Sequence, residues 1–239
     1  MKILAIDTSS KICSVSILED NNVIIEKHND DEKTHSQKLM PLIDETLKQV
    51  DLTLDNIDLL ACCQGPGSFT GIRIGISTVK AFADVKNIPI IGVTSLESLA
   101  YNIENNGLIA AIIDAKHDNV YFALFESSNG NYKTVIESTT DEIDKIISCL
   151  EQYNENITFV GDGAEVHKEL IAQRIPNSTF ASELQNIQTS ISIGKCAYNK
   201  YNCNDYTKNY SISPIYLKKS QAEINLENSK KIKDDKNEY

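Results

Sequence analysis

Three groups of residues in this chain could do chemistry. The first is Gly65-Pro66-Gly67-Ser68-Phe69-Thr70-Gly71-Ile72-Arg73-Ile74-Gly75, which joins an apolar run, Leu59-Leu60-Ala61-Cys62-Cys63, to a helical pattern from Ile72 to Val85. A glycine-rich turn between strand and helix suits phosphate, because bare backbone N–H groups and the helix N-terminus aim at one point. The spacing fails in detail. Thr70 stands where a Walker loop needs its second glycine, and no lysine follows. Thr70 also takes the place of the third glycine of a dinucleotide fingerprint. The second group is Asp7 with Thr8-Ser9-Ser10, and Asp114. Both carboxylates end strand-like runs, where they could stand beside Mg²⁺ and phosphate in a cleft. They could equally bond nearby backbone N–H groups and stabilise their own turns. The turn after Asp114, Ala115-Lys116-His117, lacks glycine and favours that structural role. For Asp7 both readings stay open.

The third group is His28, His35, His117 and His167. None is paired at i, i+3 or i, i+4, the spacing that sets two ligands on one helix face, so no metal site is expected. Ser68 and Thr70 lie outside a Gly-x-Ser-x-Gly elbow, and hydroxyls in such a turn serve as caps. No catalytic residue emerges from this inventory.

The elements that position these residues form two similar series. Lys2 to Asp7 reads as a buried strand, Ile12 to Leu18 as an alternating one, and Asn21-Asn22 as a hairpin leading into Val23-Ile24-Ile25. Leu39, Leu42, Ile43, Leu47 and Val50 recur at helical spacing, with Pro41 in the first turn or at a kink. The Leu59 strand, the glycine turn and its helix follow. A strand over Pro89–Val93 then leads to a helix capped by Ser95 and reaching about Ile103. The pattern restarts with a strand from Leu108 ending in Asp114, then strands over Val120–Phe125 and Tyr132–Ile136. Behind them come a helix over 140–152, a strand over 157–160, and helices over 165–173 and 189–201. Each half is a strand ending in Asp, a tight turn, and a returning alternating strand. This predicts an α/β protein of the actin-like ATPase (ASKHA, ribonuclease H-like) architecture with two duplicated subdomains facing a cleft. The alternative is two unrelated hairpins in one α/β domain. The expected units are 1–105, 106–219 and a polar tail at 220–239, too poor in large apolar residues to order itself.

Gly71 and Gly75 lie four apart, where missing side chains would let another helix come close. The helix they start is apolar on several sides, and so is the one before it. Such helices are either deeply buried or shared with a partner. On the second reading the partner interface is Leu39, Leu42, Ile43, Leu47, Gly71, Ile72, Gly75 and Val79. On the first, both are core helices of a doubly covered sheet.

Composition narrows the partners. The chain has 239 residues, 23 Lys and Arg against 34 Asp and Glu, and a formal net charge of −11. A nucleic-acid-binding surface is ordinarily basic, so contact with RNA is expected only through a partner. No secretory signal and no membrane-length apolar stretch is visible. The six cysteines form no Cys-x-x-Cys pair, which suits a reduced, cytoplasmic protein.

Five blocks taken together resemble the TsaB (YeaZ) family. They are Ile-Leu-Ala-Ile-Asp-Thr-Ser with Cys13-Ser14-Val15-Ser16, Thr34-His35-Ser36-Gln37 through Leu42-Ile43-Asp44, the glycine segment Gly65–Gly75, Thr94-Ser95-Leu96-Glu97-Ser98-Leu99-Ala100, and Pro214-Ile215-Tyr216-Leu217. The resemblance covers roughly residues 1–219, and the glycine segment is its most specific part. It implies an actin-like fold and kinship with TsaD, the catalytic subunit that transfers a threonylcarbamoyl group to N6 of the adenosine beside the anticodon, in tRNAs reading ANN codons. TsaD carries a His-x-x-x-His metal motif that this chain lacks. The resemblance is therefore to the scaffold subunit, not the enzyme, and older naming of such chains as M22 glycoproteases is put in doubt. Family members pair with TsaD through the two helices flanking the glycine turn and can homodimerise alone through the same surface. The ATPase TsaE joins the assembly. The resemblance further implies no cofactor on this subunit alone, ATP used by the assembled complex, tRNA met only through the complex, and no membrane. Asp7, Thr8, Ser9 and Ser10 would then be a vestigial nucleotide cleft. The competing expectation is a small actin-like ATPase or kinase using those same four residues. A metalloprotease ranks lower, for want of ligands.

Overall fold

The computed structural model describes residues 1–29, 34–204 and 212–218, so the polar tail expected at 220–239 lies outside the described residues. The first sheet is built from β1 (Lys2–Asp7), β2 (Cys13–Glu19), β3 (Asn22–Asn29), β4 (Leu59–Gly65) and β5 (Ile90–Thr94). The second is built from β6 (Gly107–Asp114), β7 (Asn119–Ser128), β8 (Asn131–Glu142), β9 (Ile157–Val160) and β10 (Ser178–Phe180). Their orders, β3-β2-β1-β4-β5 and β10-β9-β6-β7-β8, are the same when one is read backwards. In each, an antiparallel meander of three strands is extended by two parallel strands beside its first member. The duplicated plan is thus written in the topology.

Between the strands lie α1 (His35–Gln49), α2 (Phe69–Lys86), α3 (Ser95–Ala100), α4 (Ile143–Leu150), α5 (Asp162–Val166), α6 (Lys168–Arg174) and α7 (Ser190–Asn202). Thr34 and Gln37 form a capping box on α1, and Pro41 sits inside that helix on an exposed turn, where its missing N–H is tolerated on the solvent side. The cap of α3 is Thr94, not Ser95: Glu97 N–H donates to Thr94 Oγ1 at 3.0 Å, and Thr94 N–H donates to Glu97 Oε2 at 2.7 Å. Ser95 instead donates to the Pro66 carbonyl at 2.6 Å. The helix expected over 165–173 is two short helices meeting at His167. The strand β8 also runs on to Glu142, into residues expected to be helical.

Central strands are buried on both faces, which explains their near-continuous apolar runs. Leu4 and Ile6 of β1 pack beneath α1 and α2, while Ile3 and Ala5 face α7. The sequence boundary near residue 105 separates the two sheets but not their cores. Helix α3, from the first half of the chain, packs on the second sheet with Leu96, Leu99 and Ala100 against Ile109, Ala111 and Phe125. Helix α7, from the second half, packs on the first sheet with Ile193, Cys196 and Ala197 against Ile3, Leu18 and Leu59. The crossed helices touch through Ser98 and Ser192, whose hydroxyls lie 3.1 Å apart and buried. Each half therefore supplies the other's inner layer.

Candidate functional site

The turn Thr8–Ser10 and the glycine turn meet where the two halves face each other. Ser68 N–H donates to the Ser9 carbonyl at 2.7 Å, and the Thr8 hydroxyl donates to the Gly71 carbonyl at 2.7 Å. Ser68 also caps α2, accepting from Gly71 N–H at 3.1 Å. The glycines are small for the sake of this contact. A Cβ at Gly71 would collide with the Thr8 carbonyl, one at Gly67 with the Ser9 carbonyl, and one at Gly75 would stand 2.6 Å from Thr8 Oγ1. Their close neighbour is thus the first turn of the chain itself, not a partner helix.

The eight residues of the expected interface lie inward in the single chain. Leu39, Leu42, Ile43, Leu47, Ile72 and Val79 are all buried in the core that α1 and α2 share with the first sheet, and Gly71 and Gly75 are buried against Thr8. Of the eight, only Ile43 and Leu47 also edge a groove on the outer side of these helices. The exposed apolar side chains on these helices are others. Val85 is 79% and Met40 51% exposed, and Ile74 and Phe82 are half-buried. Between α1 and α2 lies a groove of about 360 Å³, lined by Met40, Leu47, Leu54, Phe82 and Lys86 among others. Sequence periodicity found the right helices but marked their inner stripe, because the largest side chains at helical spacing are the ones that go inside.

Asp7 ends β1 fully buried. Its Oδ1 accepts from Ser9 N–H at 2.8 Å, while Oδ2 has no hydrogen-bond partner among the described residues. Burial pushes the carboxyl up to about 6, against hydrogen bonds from Ser9 that pull it down. Gln188, from the loop before α7, donates to Ser9 Oγ at 2.8 Å and lies 3.3 Å from Cys63 Sγ. Burial pushes the Cys63 thiol up to about 12, so it is a packed, unreactive group. A cleft of about 400 Å³ opens beside this cluster, lined by Ser9, Lys11, Gly67, Ile113, Asp162 and Gln188 among others.

Asp114 holds the equivalent place in the second half and serves its turn. Its Oδ1 accepts from Lys116 N–H at 2.8 Å, and Lys116 Nζ pairs with Oδ2. Burial raises this carboxyl, but the bonds and charge of Lys116 outweigh it and hold it below the usual range. Lys116, His117 and Asp118 all have left-handed backbone, and Asn119 Nδ2 bonds the His117 carbonyl at 2.9 Å to brace them. The histidines are dispersed: His35 meets the Ser10 carbonyl at 2.9 Å, and His28 and His117 are exposed. No group of three or more metal-ligating side chains gathers among the described residues. None of the helices among them is long and apolar enough to cross a membrane.

One feature lay beyond sequence reasoning. The segment 212–218 lies along the glycine turn, with Ile215 N–H donating to the Gln64 carbonyl at 2.8 Å and Gln64 Nε2 donating to the Ser213 carbonyl at 2.9 Å. Tyr216 stacks on Phe69, and Lys218 Nζ reaches the Ala115 carbonyl of the second half at 2.9 Å. The block Pro214–Leu217 was visible as a motif, but nothing in it named its contact nearly 150 residues away.

The family model described as TsaD, tRNA N6-adenosine threonylcarbamoyltransferase, matches residues 24–226. The tRNA threonylcarbamoyladenosine biosynthesis protein TsaB of Bacillus subtilis is 34% identical over 75% of this chain and 79% of its own length. The chain belongs to the TsaB (YeaZ) family. The TsaB protein of Haemophilus influenzae is 29% identical over 91% of this chain and 94% of its own. YeaZ from Pseudomonas aeruginosa has the same fold, with a TM-score of 0.76 at 23% identity over 90% of this chain and 99% of that one. The paired sheets and crossed helices are the actin-like ATPase architecture. TsaB membership places the chain in tRNA threonylcarbamoyladenosine biosynthesis.

Proposed function

We propose that this chain is a non-catalytic scaffold in that biosynthesis. It pairs with the catalytic subunit TsaD through the outer faces of α1 and α2, helps recruit the ATPase TsaE, and meets tRNA only within the complex, in the cytoplasm. Alone, it can pair with a second copy through the same face. ATP serves the assembled complex and is not held by this subunit.

One observation carries this reading: the turn that would grip a phosphate is closed on the chain itself. The Thr8 hydroxyl and the Ser9 carbonyl are bonded to the glycine turn at 2.7 Å each, and Gly67 and Gly71 press against the backbone of the same two residues. These bonds and close contacts support a structural role for the turn over a phosphate grip. The surplus apolar groups Met40, Val85 and half-buried Phe82 supply a docking face instead.

A small ATPase or kinase is the second reading, favoured by the unpartnered Asp7 Oδ2 close to the 400 Å³ cleft. Reconstituted threonylcarbamoyl transfer to tRNA, with TsaD and TsaE, with and without this protein, separates the two. Transfer that requires the protein, while the protein alone neither modifies tRNA nor hydrolyses ATP, upholds the scaffold. Transfer indifferent to it, with nucleotide binding by the isolated chain, overturns the scaffold in favour of the Asp7 cleft.

A further inference from the structure

Arg73 stands on the first turns of α2, exposed, and is held in one orientation by the segment 212–218. Its Nε–H donates to the Tyr216 hydroxyl oxygen at 2.7 Å, and its guanidinium carbon lies 5.6 Å from the centre of the Tyr216 ring. That ring is stacked on Phe69, with centroids 4.5 Å and planes 9° apart. The segment is anchored in turn by its two bonds to Gln64 and by Ile212, buried in the core beneath α1 and α2. The fork's two terminal nitrogens have no hydrogen-bond or ion-pair partner among the described residues, although the chain has 34 acidic residues against 23 basic ones. An arginine fixed by a tyrosine and left without a counter-ion is pre-organised to receive a planar anion through two parallel hydrogen bonds. Arginine and aromatic anchors of this kind dominate interfaces, since their ordering cost is met before binding.

We infer that Arg73, locked by Tyr216 and Phe69, is the anchoring cation of the partner face and receives a carboxylate of the catalytic subunit on docking. The inference rests on the scaffold reading. Ile74 and Val85 lie about a third of a turn around α2 from Arg73 on its outward half, while Phe82 lies on the opposite flank, toward α1, so a partner that covers the outer side of the helix meets the cation at one edge and the apolar groups beside it. A carboxylate on a protein is favoured over an RNA phosphate because the chain's net charge of −11 repels a polyanion.

The test is titration of purified catalytic subunit into the wild-type chain and the variants Arg73→Gln, Arg73→Lys, Tyr216→Phe and Tyr216→Ala, at several salt concentrations. Thermal melting checks that each variant is folded. Arg73→Gln is expected to weaken binding by roughly tenfold or more and to flatten its salt dependence. Arg73→Lys should restore only part, since an ammonium makes no fork. Tyr216→Phe should cost less than Tyr216→Ala, which frees the guanidinium. If the wild-type chain does not bind the subunit, the scaffold reading falls and this inference with it. If the wild type binds and Arg73→Gln matches it in affinity and salt slope, the inference is overturned while the scaffold stands. If Arg73→Gln spares subunit binding and instead weakens capture of tRNA by the complex, the carboxylate assignment is overturned.

Discussion

The space that a side chain at Gly75 would fill belongs to Thr8: a Cβ there would stand 2.6 Å from the Thr8 hydroxyl oxygen, which is itself bonded to the carbonyl of Gly71. The most specific sequence motif of the chain is therefore an internal joint between its first turn and α2. Gly75→Ala is expected to destabilise the monomer by about 1–3 kcal/mol, the usual cost of overpacking, and Gly75→Leu by more. For a chain of this size each kcal/mol lowers the melting temperature by roughly 2–4 °C. Gly71→Ala should be worse than Gly75→Ala, because its neighbour is the Thr8 backbone, which cannot rotate away. Thermal melting followed by circular dichroism decides this, and a Gly75→Leu monomer that melts like wild type would refute the joint.

Asp7 gives the fold a pH dependence of definite sign. Its folded-state value of about 6 lies above the reference value of 3.8, so the native state binds the proton more tightly than the unfolded chain. Stability from this group is complete below about pH 4 and is lost as pH rises through about 6. The loss is on the order of 3 kcal/mol, from two pH units at about 1.4 kcal/mol each. Asp7→Asn keeps the Ser9 N–H bond to a side-chain oxygen and cannot ionise. Its unfolding free energy is expected to stay level between pH 4 and 6.5 where that of wild type declines. Parallel curves for the two proteins would show that Asp7 is solvated and unshifted.

The crossed helices tie the two halves into one cooperative unit. With α7 absent, Ile3, Leu18 and Leu59 lose their cover, and with α3 absent, Ile109, Ala111 and Phe125 lose theirs. Exposing one such layer costs more than a small half-domain has to spare. Residues 1–105 expressed alone are expected to lack a cooperative melt, and the whole chain to show one calorimetric transition. Two separate transitions would mean that each sheet carries its own stability.

This crossing marks the limit of what could be read from residues alone. Strand and helix identities follow from period, and the duplication follows from two runs that each end in Asp before a tight turn and a returning strand. Contacts such as Ser98 with Ser192 or Gln64 with Ser213 join positions with no local signal of each other. The same holds at the candidate site. Spacing marked Gly71 and Gly75 as places of close approach, and that is what they are. Which chain segment approaches depends on tertiary placement, and Thr8 takes the place that a partner helix was expected to fill.

The partner face can be separated from the core because the two are lined by different side chains of the same helices. Val85 is 79% exposed and Leu42 only 6%, so substitution at each tests a different thing. Val85→Asp should change monomer stability by no more than about 0.5 kcal/mol, as is usual for an exposed position. It places a charge at the C-terminal end of the proposed docking stripe, one turn on from Phe82, and should weaken pairing with the catalytic subunit by roughly tenfold or more. Leu42→Ala should do the reverse in order of cause: it opens a core cavity costing about 2–5 kcal/mol, and pairing suffers only as far as α1 loosens. Melting temperature and subunit affinity measured on both variants give four numbers. A Val85→Asp protein that melts and pairs like wild type would move the docking face away from α2. A Leu42→Ala protein that melts normally but fails to pair would return the interface to the buried stripe.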